Sequence, residues 1–331
     1  MVNHVLHLGE VSGVAERLSS ALNAGHTWSS SNEFVLPQLT PGDPNSKRQA
    51  NSPLKAWQVK RRARLHISEH QPDLVHVHWA RLAPFIPKTK MPRIIHAHGS
   101  DVRHASGPFA KLVFRKMREF DLQIASTPDL LEFMPSTSEW LPNPVDTDFF
   151  RDEIGPADEP CLFIFARFLR VKGADVLLEA TRQVRQHLPN LRIMGISGGE
   201  FDDQARSLRV DLVPFVNQAG IRNLLQQSSL VVGQQKLGIL SLAELETLAM
   251  KRPLLTPVKH DLYGDSFTNL LTFSHSELPE LIIDFFTGNE FLDTELSGLR
   301  QDVEDLHSYK SVANCLSSLY NKVQASGWEA V

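Results

Sequence analysis

The stretch "CLFIFARFLRVKGADVLLEA", residues 161–180, contains the local pattern that decides the fold. Its first six residues are apolar on both faces, which is typical of a strand buried in a parallel sheet. Its last seven residues, "ADVLLEA", open an amphipathic helix. Between the two lie Arg167, at the strand end, and Lys172, just before Gly173. Two cations beside the free N–H groups of a helix start suit a diphosphate, and two solvated surface charges are the alternative interpretation.

Short apolar runs of the same kind recur along the chain, with helical stretches between them. This alternation predicts two doubly wound α/β domains, each built on a parallel sheet covered by helices. The predicted strands lie at 4–8, 33–39, 73–79, 93–99, 122–127, 161–167, 191–197, 210–216, 229–235 and 253–257.

The stretch "RDEIGPADEP", residues 151–160, is the predicted boundary between the domains because it is acidic and contains proline and glycine. We therefore expect a first domain at 1–150, a second at 151–306 and a final helical segment at 307–331. Ligands of open parallel sheets bind beyond the carboxyl ends of the strands. The cleft between the two sheets is thus the expected site.

The composition is that of a globular protein, with 42% hydrophobic and 22% charged residues in a chain of 331. No apolar run approaches the roughly 18 residues needed to cross a bilayer, and the amino terminus has no signal-peptide pattern. The two cysteines give neither a disulfide framework nor a zinc-binding spacing. These features predict a cytoplasmic protein.

Charge is distributed unevenly between the two halves. Residues 1–150 carry 17 Lys and Arg against 14 Asp and Glu, whereas residues 151–331 carry 17 against 24. The basic half contains a helical stretch at 55–64 that includes Lys60, Arg61, Arg62 and Arg64. This cluster is either a solvated helix face or a patch for phosphate-bearing acceptors and peripheral contact with the inner face of a membrane. The chain is acidic overall and has no nucleic-acid-binding motif, so we expect no nucleic acid partner.

Two glutamates occur together in a helix predicted from Ser241 to Arg252. Glu244 stands three residues after Ser241 and completes a capping box on the side expected to face solvent. Glu246 lies about 200° around the helix axis from Glu244 and is expected to face inward, toward a polar partner.

Five features, one of them a pair of strands, occur in order along most of the chain and resemble those of the retaining glycosyltransferases of family 4, which have the GT-B fold. "ARFLRVKG" is similar to the family pattern G-R-L-x-x-x-K-G, with Ala166 in place of the first glycine, and "LPNPVDTDFF" at 141–150 is similar to its linker signature. "DLVHVHW" and "IIHAHGSD" resemble strands of its first domain, and "LAELETLAMKRP" resembles its E-A-M-A-x-G-x-P helix. "HSYKSVANCLSSLYNKV" resembles its last helix. The resemblance implies two Rossmann-like domains facing a cleft, with a C-terminal helix that crosses back to the N-terminal domain.

The resemblance also implies roles for individual residues. Glu246 corresponds to a glutamate that hydrogen-bonds the ribose of the nucleotide, and Arg167 and Lys172 correspond to cations that bind its phosphates. His98 corresponds to a histidine that contacts the donor sugar. Gly13 belongs to a loop that borders the donor in the family, although an ordinary turn explains the same glycine.

The sequence departs from the family pattern at Gly238, where the family usually has a glutamate that contacts the donor sugar. Gln234, Gln235 and Lys236 are candidates to reach the sugar instead. We expect the backbone N–H groups of Gly238, Ile239 and Leu240 to point toward the sugar or phosphate. A second departure is Ser12, which replaces one of two paired glycines.

The implied function is metal-independent transfer of a sugar, with retention of configuration, from a nucleotide-diphosphate-sugar to a glycan or lipid-linked acceptor in the biosynthesis of surface polysaccharide or glycoconjugates. No cofactor beyond the donor substrate is expected, and no metal, because "DTD" at 146–148 falls inside the linker signature. Two alternatives stay open. One is a non-catalytic partner subunit that binds a nucleotide-sugar, which Gly238 would explain, and the other is a nucleotide-sugar epimerase or phosphorylase with the same architecture.

Overall fold

The computed structural model describes residues 3–25, 28–33, 53–103, 105–151, 159–288 and 293–327. The chain forms two compact units, one of Met1–Pro144 with Leu306–Val331 and one of Val145–Asp305. Most of the predicted boundary at 151–160 and most of the predicted strand at 33–39 lie outside the described residues.

The first unit contains a six-stranded parallel sheet with the strand order β2-β1-β3-β4-β5-β6 among the described residues. Helices α1 (Val14–Gly25), α2 (Pro53–His70) and α3 (Gly107–Met117) connect its strands. The strands are β1 (His4–Leu8), β2 (Ser29–Glu33), β3 (Leu74–His78), β4 (Arg93–Ala97), β5 (Leu122–Ala125) and β6 (Glu139–Trp140).

The second unit contains a five-stranded parallel sheet with the order β11-β10-β7-β8-β9 among its described residues. The order reverses between β7 and β10, which makes the carboxyl ends of these two strands the topological switch point. The strands are β7 (Cys161–Arg167), β8 (Arg192–Ile196), β9 (Asp211–Val213), β10 (Leu230–Val232) and β11 (Leu254–Leu255). The helices are α4 (Ala174–His187), α5 (Asp202–Ser207), α6 (Gln218–Gln226), α7 (Leu242–Ala249), α8 (Leu278–Thr287) and α9 (Asp293–His307).

The last helix, α10 (Tyr309–Gly327), belongs to the first unit and packs mainly against α1. Tyr320 is fully buried there, with its hydroxyl oxygen 2.6 Å from His76 Nδ1 and its ring centroid 4.9 Å from that of Trp28. Apart from the run at 33–39, every predicted strand is present. Those at 4–8 and 161–167 have the predicted bounds, and the others are shorter than predicted. None of the described helices combines the length and the apolar character that crossing a bilayer requires.

Five histidines form a layer on one face of the first sheet, which we call the imidazole layer: His7, His76, His78, His96 and His98. His7 stands opposite His76 in the strand register, and His78 stands opposite His96. Neighbouring ring centroids lie 4.3 to 5.4 Å apart. His7 Nδ1 is 2.9 Å from His78 Nε2, and His78 Nδ1 is 3.1 Å from His98 Nε2. His7, His78 and His98 therefore form a hydrogen-bonded chain that runs to the carboxyl end of β4.

The imidazole layer is electrically neutral. Burial lowers the pKa of His7 and of His98 to about 3, and it holds the pKa values of the other three well below the ordinary 6.5. Charging several stacked rings in a water-excluded layer would be costly, so the proton affinity of each ring falls. Within the described residues, His7 Nε2, His76 Nε2 and both ring nitrogens of His96 have no hydrogen-bond partner.

We expect the first unit to lose stability as the pH falls from 7.5 to 5.5. A histidine with a lowered pKa stays neutral in the folded state, whereas the unfolded chain takes up a proton below about pH 6.5, so the stability present above pH 6.5 is lost as the pH falls toward 3. His7 and His98 should each lower the free energy of unfolding by about 1.4 kcal/mol for every pH unit below 6.5. All five tryptophans belong to the first unit. Urea unfolding followed by tryptophan fluorescence therefore measures the stability of this unit.

The matched variant is His96→Leu, which replaces a ring without hydrogen-bond partners by an apolar side chain of similar size. It should fold at pH 7.5 and show a shallower dependence of the unfolding free energy on pH. A wild-type free energy of unfolding that stays constant between pH 7.5 and 5.5 would contradict the neutral layer.

Candidate functional site

The turn after β7, residues 167–173, carries the two predicted cations and is called the β7 turn. The register of β7 against β8 shifts between Ile164 and Arg167, so a bulge re-aims the end of the strand. Arg167 is half-buried, and its guanidinium donates no hydrogen bond to any described residue. Its side chain passes the loop after β8, since a Cβ added to Gly198 would stand 3.7 Å from Arg167 Cδ.

Lys172 ends a single 3-10 turn, Arg170–Lys172, that leads into α4. The next residue, Gly173, has φ +85°, and a Cβ there would lie 2.8 Å from Gln235 Cβ. The Gln235 N–H donates to the Lys172 carbonyl oxygen at 2.8 Å. Glycine at 173 thus allows the β7 turn to press against the loop that follows β10, and a backbone hydrogen bond joins the two segments.

The loop after β10, residues 233–241, is called the β10 loop and is stabilised from within by Gln234. This side chain is 1% exposed. Its Oε1 accepts the N–H groups of Lys236 (3.2 Å) and Leu237 (2.7 Å), and its Nε2 donates to the Ile239 carbonyl oxygen (2.9 Å). The hypothesis that Gln234 reaches a sugar is therefore wrong, because its amide is already used by the loop.

The other two candidates for replacing the missing glutamate are also engaged within this unit. Gln235 is 1% exposed, and its Nε2 donates to the Gly233 carbonyl oxygen at 3.0 Å. Lys236 Nζ forms an ion pair with Asp175 in the first turn of α4, at 2.9 Å. The side chains at 234–236 thus build the loop and tie it to α4.

Gly238 adopts a conformation that disfavours a glutamate. Its φ is +67°, a Cβ at this position would stand 3.0 Å from Lys259 Cγ, and its carbonyl oxygen accepts the Lys259 N–H at 3.0 Å. The structure differs from expectation at Leu240, whose N–H donates to the Tyr263 hydroxyl at 2.8 Å. The N–H groups of Gly238 and Ile239 donate to no described residue, so these two remain the candidate donors of the loop.

The capping box of Ser241 and Glu244 is confirmed, but the expected solvation of Glu244 is wrong. Glu244 is 1% exposed. Its Oε2 accepts the Ser241 N–H at 2.9 Å and its Oε1 accepts the Gln234 N–H at 3.0 Å. The β10 loop folds over the start of α7, so the face expected to meet solvent meets protein, and α7 is buried on every side from Glu244 onward.

Glu246 lies on the same helix and is 3% exposed, as its predicted inward orientation requires. The structure thus places Glu246, the β7 turn and the β10 loop on neighbouring segments beyond the carboxyl ends of β7 and β10. Ribose binding by Glu246 stays a prediction, because a buried carboxylate can equally serve an interaction inside the protein.

His98 occupies the carboxyl end of β4 in the first unit. Its N–H donates to the Asp101 carboxylate, at 3.0 Å to Oδ1. Asp101 Oδ2 also accepts the Ala80 N–H at 2.6 Å, which ties the segment after β3 to the segment after β4. His98 is partly exposed, and its low pKa makes it a neutral imidazole that can donate or accept a hydrogen bond at pH 7.

The loop after β1 contains Ser12 and Gly13, both with left-handed backbones at φ +55° and +77°. Glu10 lies at the start of α1, where its carboxylate accepts the N–H groups of Ala15 (3.3 Å) and Glu16 (3.0 Å). Burial raises the pKa of Glu10. The first amides of α1 are thus occupied by the protein's own carboxylate, and contact between Gly13 and a donor stays a prediction.

Three positioning residues were not found by sequence reasoning: Asp101, Asp202 and Tyr263. Asp202 accepts the N–H groups of Gly198 (2.8 Å) and Gly199 (3.0 Å) and so shapes the loop beside Arg167. An aspartate three or four residues from the glycines is a local turn signal that could have indicated Asp202. Tyr263 acts from 23 residues away, so no local pattern indicates it.

A cavity of about 530 Å³ lies in the first unit, at the amino ends of β4 and β5. It includes none of the predicted site residues. Its cationic lining residues are Lys60, Arg64, Lys88, Arg93 and Lys116.

Known proteins with a similar sequence or structure indicate which fold this chain has. No family model matches the chain. A GDP-mannose-dependent alpha-(1-6)-phosphatidylinositol monomannoside mannosyltransferase from Mycolicibacterium smegmatis is 26% identical over 151 residues, and the match covers 40% of this chain and 40% of the relative's length.

Two solved structures match almost the whole chain. Sucrose-phosphate synthase from Thermosynechococcus elongatus superimposes with a TM-score of 0.73 at 15% identity, covering 98% of this chain and 100% of that one. HepE from Anabaena, in complex with UDP and glucose, superimposes with a TM-score of 0.69 at 13% identity, covering 97% and 100%. The fold is the α/β fold of the GT-B glycosyltransferases with two parallel sheets, and the fold-class prediction is confirmed.

We expect Glu244→Ala to destabilise the second unit by about 2–4 kcal/mol, because it leaves two buried N–H groups without an acceptor and removes a helix cap. The second unit contains no tryptophan. The loss should therefore appear as an earlier unfolding transition in far-UV circular dichroism that has no counterpart in tryptophan fluorescence. Glu280→Ala, an exposed glutamate in the first turn of α8, is the control and should change stability by less than about 0.5 kcal/mol. Equal transitions for both variants would show that the Glu244 contacts do not stabilise the loop.

Proposed function

We propose that this protein is a glycosyltransferase that moves a sugar, with retention of configuration, from a nucleotide-diphosphate-sugar to a glycan or lipid-linked acceptor. The donor is proposed to bind the second unit at the switch point between β7 and β10. Leaving-group stabilisation is assigned to protein cations, without a metal ion or a further cofactor.

The observation that carries this proposal is the hydrogen-bonded junction of the β7 turn with the β10 loop. The junction holds the backbone of Lys172 and Gly173 against Gln235 of the β10 loop, and this loop also carries the amides of Gly238 and Ile239. Fixed cations and free N–H groups at the carboxyl end of a parallel sheet are the components that bind a diphosphate.

Cleavage of the bond between the sugar and the nucleotide leaves increasing negative charge on the β-phosphate. Arg167 is a suitable group to stabilise this charge, because its guanidinium can make two parallel hydrogen bonds and the bulge before it holds its backbone in place. Lys172 adds a second positive charge from the same turn. Groups that are positioned before the reaction lower the barrier most, because little reorganisation is needed as the charge develops.

Because position 238 is a glycine and not a glutamate, other groups must contact the donor sugar. Glycine at this position has no side chain to contact a sugar, and the amide groups of Gln234 and Gln235 donate within the loop. Contacts from the second unit to the sugar are therefore assigned to the amides of Gly238 and Ile239, and contact of His98 with the sugar stays a prediction. Glu246 is proposed to bind the ribose.

The similar proteins do not indicate one nucleotide base. The mannosyltransferase is GDP-mannose-dependent, whereas HepE was solved with UDP and glucose. A thermal-shift screen with UDP-, GDP- and ADP-sugars identifies the donor, because a ligand at 100 times its Kd raises the unfolding free energy by about 2.7 kcal/mol. Release of free sugar from the donor in water then separates a competent enzyme from a subunit that only binds nucleotide. An epimerase would instead yield the isomeric sugar without any acceptor.

With that donor, we expect Arg167→Ala and Lys172→Ala each to lower turnover by about 10²–10³-fold, because each removes a charge contact that strengthens in the transition state. Both variants should keep the wild-type unfolding transition. Turnover is measured by donor hydrolysis and by transfer to acceptor in single-turnover assays.

The matched control is Arg192→Ala, an exposed arginine at the opposite, amino end of the neighbouring strand β8. It removes the same charge from the same sheet and should leave turnover unchanged. Wild-type rates for both Arg167→Ala and Lys172→Ala would exclude the phosphate role.

We also propose that α2 mediates peripheral contact with an anionic membrane, in keeping with a lipid-linked acceptor. Trp57, Lys60, Arg61, Arg64 and Leu65 lie along one side of this helix and form what we call the α2 stripe. Trp57 is 57% exposed and Leu65 is 53% exposed, and both are large apolar side chains. Cations between exposed apolar groups suit an interface of lipid headgroups.

We expect a triple variant, Lys60→Gln with Arg61→Gln and Arg64→Gln, to bind vesicles containing anionic lipid about 100-fold more weakly, since each cation near the surface contributes about 1 kcal/mol. Vesicle co-sedimentation measures the partition coefficient. The control removes three exposed cations from α3 and its C-cap instead (Lys111, Arg115 and Arg118 to Gln), and it should bind nearly as well as wild type. Equal losses in the two triple variants would mean that net charge, not the α2 stripe, drives binding.

A further inference from the structure

Strand β2 and helix α2 bring together three side chains that the proposed reaction does not use: Glu33, His66 and His70. His66 and His70 are one helical turn apart on α2, so they share a face. Glu33 Oε1 lies 2.9 Å from His70 Nε2, and Glu33 Oε2 lies 3.4 Å from His66 Nδ1. One ligand atom of each residue lies within 4.8 Å of the others.

A second carboxylate also approaches this cluster. Glu69 Oε2 also approaches His66 Nδ1, at 3.7 Å. His66 Nδ1 is buried and makes no hydrogen bond within the described residues, although it faces two carboxylates. A metal ion between these groups would accept an electron pair from the imidazole nitrogen and from the carboxylate oxygens, and its charge would offset theirs.

The types of ligand atom in this cluster indicate which metal ion it would bind. Mg²⁺ and Ca²⁺ prefer sites made of oxygen ligands only. Two imidazole nitrogens with a carboxylate oxygen suit Zn²⁺, which binds nitrogen at about 2.0–2.1 Å and accepts four ligands in a tetrahedron. Two carboxylates, Glu33 and Glu69, balance the double charge of such an ion.

Hydrogen bonds behind the cluster hold one of the rings in a binding orientation. His70 Nδ1 lies 3.3 Å from Ser31 Oγ, and the same hydroxyl oxygen lies 3.1 Å from His4 Nε2. A contact of this kind on the far nitrogen fixes the tautomer and ring orientation of a metal-binding histidine, and here it leaves Nε2 directed at Glu33. The side chains of His66, His70 and Glu33 are 18%, 28% and 30% exposed, so solvent ions have an entry path.

We propose that Glu33, His66 and His70 form a zinc-binding site, with Glu69 or a water molecule as the fourth ligand. The ion does not take part in sugar transfer. It links β2 to α2 through residues 37 apart in the sequence, and it therefore stabilises the first unit when bound.

The test is isothermal titration of the full chain with ZnCl2 at pH 7.5, after metal has been removed with a chelator and the chelator has been removed by gel filtration. We expect one zinc per chain with a Kd in the micromolar range or tighter. Zinc should also raise the midpoint of the thermal transition seen by tryptophan fluorescence. Because the two imidazoles must be unprotonated to bind, the affinity should fall when the titration is repeated at pH 5.5.

The His66→Ala, His70→Ala double variant should bind zinc at least 100-fold more weakly, and Glu33→Gln, which preserves shape, about tenfold more weakly. His187→Ala is the matched control, since it removes an exposed histidine from a helix of the second unit. Its affinity should stay within twofold of wild type. Cobalt(II) provides an independent readout, because wild type should give visible absorption bands that the double variant lacks.

Two results would overturn the proposal. One is the absence of zinc binding by the wild-type chain at a concentration of about 50 μM, tenfold above a weak micromolar Kd. The other is unchanged zinc affinity in both the double variant and Glu33→Gln, which would place the ion elsewhere, as in the imidazole layer.

Discussion

The hydrogen bond from the Gln235 N–H to the Lys172 carbonyl oxygen is the contact on which the candidate donor site of the second unit depends. Segments at the carboxyl ends of buried strands leave backbone polar groups that need partners. Gln234 and Glu244 supply these partners for the β10 loop, and glycine at 173 lets the β7 turn come close enough to share one. The β7 turn, which carries the proposed phosphate-binding cations, is therefore held in place because its backbone provides a hydrogen-bond partner for a neighbouring loop.

The first unit is organised by a different constraint, which is the burial of polar rings between helices and a sheet. Alternate residues of the same strands divide between an apolar face, with Leu6, Leu8, Val75 and Val77, and the imidazole layer. The layer is compatible with a folded core only while its rings are neutral. His98 stands at the rim of that layer, and its burial keeps its pKa low.

Helix α2 serves two separate purposes along its length. Its central turns carry the exposed cations and apolar side chains of the α2 stripe, and its last turns carry the histidines of the proposed zinc site. On the side away from the α2 stripe, and in line with His66 and His70, Val59 and Ala63 are buried in the core of the first unit. A single amphipathic helix can combine these tasks because positions three or four residues apart share a face, whereas its other faces stay independent.

The sequence alone determined the alternation of strands and helices, the final helix and the capping box, because these follow from periodicity and local hydrogen bonding within a few residues. It also pointed to a GT-B fold through motifs kept in order. Only the tertiary structure decided that Glu244 is buried, that the Leu240 amide is taken by Tyr263, and that Gln234 supports a loop. The imidazole layer and the cluster around Glu33 likewise depend on strand order and on contacts between residues 20 to 71 positions apart. Such contacts leave no trace in a local pattern, since they exist only once the chain has brought distant segments together.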